Sequence, residues 1–253
     1  MRPYILEETN WKAVKETDYE LAILPWGATE AHNYHLPYGT DNYQVMHIVE
    51  QASQKAWEAG AKIIVLPNVP YGINTGQMDI KLCMNMMPST QFVLLKDIAQ
   101  VLEMHRIPKL VIVNGHGGNH FKNMIRELSV LHPDLYTCAI NWYQAKDFKD
   151  FFIDPGDHAG EMETAAMLHI APNFVLPLDQ AGSGSVKKPV IKAFQEGWVQ
   201  AQRPWSQVTE DTGVGDPSHA TAHNGSIYLD ACIHSIQAFF IDLALTDKKQ
   251  LYK

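Results

Sequence analysis

Short, almost wholly apolar runs alternate along the chain with longer stretches in which apolar positions recur at helical spacing. Residues 21–25 (LAILP), 62–66 (KIIVL), 110–113 (LVIV) and 135–142 read as strands. Between and after them, residues 42–59 place Val45, Ile48, Val49, Ala52 and Trp57 on one helical face, with Gly60 as a stop. Residues 91–105 (with Ser89 or Thr90 as cap), 119–131, 158–169 and 227–245 read as further helices. Strands that alternate with helices imply parallel βαβ units. Runs this uniformly apolar suit strands covered on both sides. The expectation is an α/β chain with three α/β/α layers and a mostly parallel central sheet, folded as a single domain over residues 1–253. Residues 177–215, rich in Gly, Pro, Ser and Lys and without periodicity, read as an irregular excursion or lid.

Composition narrows the function. The chain is 46% hydrophobic and 19% charged, which supports a sizeable core and excludes extensive disorder. Twenty Lys and Arg against 28 Asp and Glu leave a formal charge of −8, with no basic stripe. Nucleic acid and anionic membrane are therefore poor partners. Cys83, Cys138 and Cys232 are odd in number and lie at no metal-binding spacing, so a reducing compartment fits. No apolar signal core follows the first residues, and no uninterrupted apolar run reaches the ~20 residues of a membrane span. A cytoplasmic protein is the expectation.

The chemistry clusters where strands end. In an open parallel sheet, ligands bind beyond the carboxyl ends of the strands. The first strand is followed by Gly27-Ala28-Thr29-Glu30-Ala31-His32-Asn33-Tyr34-His35-Leu36-Pro37 and then Thr40-Asp41. The third is followed by Asn114-Gly115-His116-Gly117-Gly118-Asn119. Glu30, His32, Asp41 and His116 are mixed carboxylate and imidazole ligands that suit Zn, Mn or Fe(II), and Asp41 could bridge two ions. Each residue alone also has a structural reading. Asp41 could cap a helix, His32 or His35 could be a hydrogen-bonded loop histidine, His116 could belong to an anion-binding turn, and Asn119 could be a helix cap.

Four segments, in order, resemble the creatininase family. Residues 24–41 are similar to its P-x-G-S-x-E-Q-H-G-P-H-L-P signature ending in T-D, and residues 114–119 to N-G-H-G-G-N. Residues 158–164 (HAGEMET) resemble H-A-G-E-x-E-T, and residues 213–217 resemble G-x-x-G-D-P, with 87–90 a weaker echo of F-P-G-T. The resemblance implies a creatininase-like fold and a binuclear centre of two divalent ions per chain, Zn or Mn, with Fe(II) admissible. Glu30, His32, Asp41 and His116 fall on ligand positions. Creatininases proper place a glutamate where this chain has Gly118, so the fifth ligand must come from elsewhere. With 158–169 helical, His158 and Glu161 share a face, which nominates Glu161 as that ligand and Glu163 as its orienting partner.

The expected reaction is metal-assisted hydrolysis of an amide C–N bond in a small cyclic or linear substrate, with His158 protonating the leaving nitrogen. Ala28, Ala31, Asn33 and Tyr34 replace the family's Ser, Gln, Gly and Pro, and the tryptophan that creatininases proper carry shortly before the His158 position is absent. Creatinine itself is therefore not the expected substrate. The resemblance also implies a closed homo-oligomer such as a hexamer. Two other readings stand beside this one: a catalytically inactive metal-binding relative, and a phosphate- or nucleotide-binding protein using the glycine-rich turn at 114–119.

Overall fold

The computed structural model describes residues 2–252. Strands β1 (Leu21–Trp26), β2 (Ile63–Val65), β3 (Lys109–Asn114) and β4 (Tyr136–Asn141) form one sheet in the order β2-β1-β3-β4. Every pairing is parallel, with Ala22 beside Leu110 and Trp26 beside Asn114. Eight α-helices are found among the described residues: α1 (Trp11–Val14), α2 (Thr40–Glu58), α3 (Pro88–Met104), α4 (Lys122–Leu131), α5 (Glu161–Ile170), α6 (Lys192–Gln195), α7 (Trp205–Val208) and α8 (Ala222–Leu245).

Side chains alternate across the central strand and so build two cores. Leu21 and Ile23 pack with Val45, Ile48 and Val49 of α2 and with Tyr228, Ile233 and Phe240 of α8. Ala22, Leu24 and Trp26 face the other way, onto Leu95 and Ala99 of α3 and Met124 and Leu128 of α4. The sheet is thus covered on both faces, which explains why its strands read as unbroken apolar runs. Helix α8 is long and apolar enough to cross a membrane by length and composition. One of its faces nevertheless belongs to the core, where Tyr228, Leu229, Cys232, Ile233 and Phe240 are buried. Helices α2 and α5 pack against it.

Helix starts differ from the expectations for identifiable reasons. Helix α3 begins on Pro88, whose fixed φ and missing N–H suit a first turn, so neither Ser89 nor Thr90 caps it. Helix α4 begins at Lys122, and Asn119 is no cap. Its side chain ties the preceding turn together instead: Oδ1 accepts from the Ile73 amide and Gln91 Nε2, and Nδ2 donates to Asn114 Oδ1 at 2.9 Å. Helix α8 starts five residues before position 227, where the Thr221 hydroxyl accepts the Asn224 amide. Residues 177–215 carry a 3-10 turn at Leu178–Gln180 and the four-residue helices α6 and α7, with an antiparallel bridge between Val186 and Thr209 on either side of the two helices.

Candidate metal centre

The chain leaves β1 toward β2 on one side and returns to place β3 on the other. The strand order therefore reverses between β1 and β3, where a doubly wound sheet opens its binding crevice. A cleft of about 1020 Å³ lies there, lined by Glu30, Asp41, His116, His158 and Glu163 among others. The loop after β1 carries Glu30 and His32, the first turn of α2 carries Asp41, and the turn after β3 carries His116. Glu30, His32, Asp41, His116 and His158 are all buried.

Their ligand atoms converge in three overlapping groups, each within 4.8 Å: Glu30, Asp41 and His116; His32, Asp41 and Glu163; and Glu30, His32 and His158. Asp41 is common to the first two. His116 Nε2 pairs with the Ile73 carbonyl at 3.1 Å, so the hydrogen sits on Nε2 and, in the neutral ring, Nδ1 is a lone pair. That Nδ1 lies 2.8 Å from Glu30 Oε1 and 3.1 Å from Asp41 Oδ2. Both oxygens are buried and neither takes a hydrogen bond. The second carboxylate oxygen of Glu30 is occupied by the Gln77 amide, which leaves only Oε1 to face the group. His32 repeats the pattern: Nδ1 pairs with the Glu30 carbonyl and Nε2 points at Asp41 Oδ1, each at 3.1 Å.

Three unsatisfied acceptors aimed at one point repel one another unless a cation or protons stand between them. Titration behaviour reflects this. Burial lowers the His32 pKa, but the Asp41 charge and hydrogen bond overcome it and the ring rises to about 10. Burial likewise opposes His116 protonation and is outweighed by Glu30 and Asp41, leaving its pKa well above the usual value. Asp41, penalised by burial, is held well below the ordinary carboxylate range by His32 and His116. The carboxylate charges that favour protonation of these rings are the same ones that would favour a divalent ion among these groups.

The sequence matches the Creatininase family (creatinine amidohydrolase) over residues 7–240. The chain belongs to the creatininase family. A Bacteroides fragilis NCTC 9343 protein assigned to the creatinine amidohydrolases is 38% identical, covers both chains fully and superposes with a TM-score of 0.92. A Zn–Zn creatininase variant, at 20% identity over 96% of this chain and 99% of that one, shares the fold with a TM-score of 0.79. Among curated relatives, the mycofactocin precursor peptide peptidase of Mycobacterium ulcerans (strain Agy99) is 28% identical over 234 residues, covering 85% of this chain and 83% of that protein. The corresponding peptidase of Mycolicibacterium smegmatis is 27% identical over 210 residues, covering 81% and 78%.

Within this creatininase-family site, the expectation for Glu161 is corrected. Its buried carboxylate turns away from the cluster, and Oε2 accepts the amides of Ile153 at 2.8 Å and Asp154 at 2.9 Å. Glu163 takes the place beside His32 and Asp41. The reason is where α5 begins. Gly160 is its extended N-cap and Ala159 adopts φ +50°, so His158 lies outside the helix and helical phase does not relate it to Glu161. The left-handed turn at Ala159 points its amide at Glu163 Oε2, at 2.5 Å. Burial raises the Glu163 carboxyl, and the His32 and His158 charges only partly oppose this.

Other family elements act as supports. His158 exchanges both backbone hydrogen bonds with Val214, at 3.1 and 2.7 Å, so residues 213–217 hold it in place. Its Nε2–H donates to the Ala31 carbonyl at 2.8 Å, leaving Nδ1 to face Glu30 Oε1 at 3.9 Å. Gly118, where creatininases proper were expected to carry glutamate, has no room for one: a Cβ would stand 2.4 Å from His116 Nε2 and 2.5 Å from the Ile73 carbonyl. Asn33, at φ +54°, fills a position where the family's glycine was expected, and asparagine tolerates this region.

Three cleft residues escaped sequence reasoning. Tyr143 lies in the short 3-10 turn Trp142–Gln144 after β4, and Arg203 and Trp205 come from the irregular excursion. Trp205 stands edge-on to His158, with ring centroids 4.8 Å apart. Tyr143 lies one residue past Trp142, which is fully buried in the core. Nothing in the pattern around 203–205 marks it as site-forming.

Proposed function

We propose that this creatininase-family chain is a metal-dependent hydrolase that cleaves an amide C–N bond with two divalent ions. The observation that carries this is the convergence of His116 Nδ1 with two buried carboxylate oxygens that take no hydrogen bond. Glu30, Asp41 and His116 would hold one ion and His32, Asp41 and Glu163 the other; Asp41 Oδ2 faces His116 and Oδ1 faces His32. Imidazole and carboxylate donors without thiolate suit Zn or Mn, and creatininases sharing this fold are known in Zn–Zn and Mn forms. Bound there, such ions supply Lewis acidity and a water of lowered pKa.

The remaining work falls to the chain. Ile73 and Glu30 carbonyls fix the tautomers of His116 and His32 so that lone pairs face inward. His158, locked by Ala31 and Val214, presents the Nδ1 lone pair to the cleft, where it can take the proton given up by the attacking water and pass it to the departing nitrogen. Trp205 against it narrows the water-accessible side. A cleft of about 1020 Å³ holds more than a small ring, and the curated relatives are peptidases of a precursor peptide. Both points favour a peptide or N-acyl amino acid substrate. The family description as creatinine amidohydrolase supports the alternative of a small cyclic amide.

Chelated protein reloaded with Zn or Mn should hold close to two ions per chain by elemental analysis. It should hydrolyse members of a panel of N-acyl amino acids, short peptides and cyclic amides, and lose that activity again on chelation. A folded protein that binds no ion in excess metal would overturn the reading.

A further inference from the structure

We propose that Arg203 reads a carboxylate on the leaving-group side of the scissile amide, so that substrates carry a free carboxylate within a few residues of that bond. This rests on the amide-hydrolase reading of the site. Among the described residues whose side chains line the cleft, Arg203 is the sole lysine or arginine, whereas the acids include Glu30, Asp41, Glu127, Asp157 and Glu163. In a chain of net charge −8, one guanidinium inside an acidic cleft is placed against the prevailing field.

Its position is built. The guanidinium carbon lies 5.0 Å over the Trp205 ring, and Trp205 stands 4.8 Å from the His158 ring. Arg203 is therefore two ring contacts from the proposed proton donor. An extended residue spans ~3.3–3.6 Å, so a carboxylate one to three residues beyond the scissile nitrogen comes within reach. The segment carrying Arg203 is pinned to the loop at 75–79. The Thr75 hydroxyl bonds Gln202 Oε1 at 2.9 Å, and Ser206 bonds Asp79. Gly76 permits the approach, since a Cβ there would stand 2.1 Å from the Arg203 carbonyl.

Without substrate, Nη1 holds Asp157 Oδ2 at 2.8 Å, with 42% of the arginine side chain and 63% of the aspartate exposed. An ion pair that exposed is worth little and exchanges readily. Arginine has five N–H donors in a planar fork, so a second carboxylate can be taken beside Asp157 or in its place. Asp157 then acts as an internal competitor. This predicts effects of opposite sign for the two partners. A mere latch between 203 and 157 would respond alike to loss of either side.

The test is calorimetric binding to metal-loaded protein of a tripeptide with a free C-terminus, against the same peptide C-terminally amidated. N-acetyl-alanine and its amide serve as the single-residue arm. The free carboxylate should bind about tenfold more tightly or better, as expected for a charge-assisted hydrogen bond. Arg203→Ala, and Arg203→Gln as the length-preserving control, should erase most of that preference. Asp157→Asn should enlarge it, and all three should keep their metal. Equal binding of both peptides to wild type overturns the proposal. So does an Arg203 variant that keeps the preference, as it would if the carboxylate simply sat on a metal, and so do same-direction shifts in the Arg203 and Asp157 variants. Preference without cleavage of either peptide would instead sink the hydrolase reading and leave the carboxylate site standing.

Discussion

The site has two halves of different origin. Glu30, His32, Asp41 and His116 sit directly beyond β1 and β3, on loops whose roots are paired in the sheet. His158, Glu163, Trp205 and Arg203 come from turns and short helices far along the chain. The first half is positioned by the sheet and by carbonyls that fix each imidazole. The second is positioned by individual contacts: a backbone exchange with Val214, a left-handed residue at Ala159, an aromatic edge. The strand-borne half supplies most of the clustered carboxylates and imidazoles, and the turn-borne half adds Glu163 and His158 to them and lines the cleft with Trp205 and Arg203. Rigid ends suit ligands whose geometry must not move, whereas turn-borne groups can be re-aimed by small sequence changes.

Asp41→Asn should break this comparison most completely, because Asp41 belongs to two of the three ligand groups. Both ions should be lost to elemental analysis. Turnover should fall roughly a thousandfold or more, since several kcal/mol of charge stabilisation leave with the ions and 1.36 kcal/mol is tenfold. A variant that retains two ions would show that Asp41 does not join the halves.

Glu163→Gln should sharpen it. The trio of Glu30, Asp41 and His116 remains intact, so about one ion per chain should persist, and the ion beside His32 should be lost because a neutral amide is a poor ligand. Retention of both ions would mean that Glu163 is not a ligand, leaving His158 as the turn-borne half's one candidate among the described residues.

What could be read from sequence follows the same division. The apolar runs located all four strands to within about two residues, because a sheet covered on both faces leaves an unmistakable pattern. Glu30, His32, Asp41 and His116 stand out as polar residues on the segments that follow strand ends, but each also has a structural reading, and it is the resemblance to the creatininase family that puts them on ligand positions. Glu161 and Glu163 could not be sorted. Their order depends on Ala159 at φ +50° and a helix that starts only after its Gly160 cap, and no periodicity reports a single left-handed alanine. Arg203 and Trp205 lie in a stretch without period, placed by Gly76 and side-chain contacts some 130 residues away in sequence, about which local pattern says nothing.

The smallest effect is expected at Glu161, and it isolates support from ligation. Its carboxylate is 1% exposed and holds the amides of Ile153 and Asp154, in the loop that leads to Asp157 and His158. In Glu161→Gln one amide oxygen can still accept, but the charge that strengthens both bonds is gone. Charge-assisted bonds contribute about 1.5–3 kcal/mol and neutral ones about 1, so a loss of about 1–2 kcal/mol follows. For a chain of this size that corresponds to a melting temperature about 2–8 °C lower. Both ions should remain, since no ligand group contains Glu161. Amide exchange should accelerate at Ile153 and Asp154 while the β1 and β3 amides stay protected, and turnover should drop by about tenfold as His158 loses its fixed approach. Loss of an ion from this variant, with Glu163→Gln keeping two, would reverse the roles of the two glutamates. Unchanged exchange at 153 and 154 would show that the carboxylate does not hold the loop.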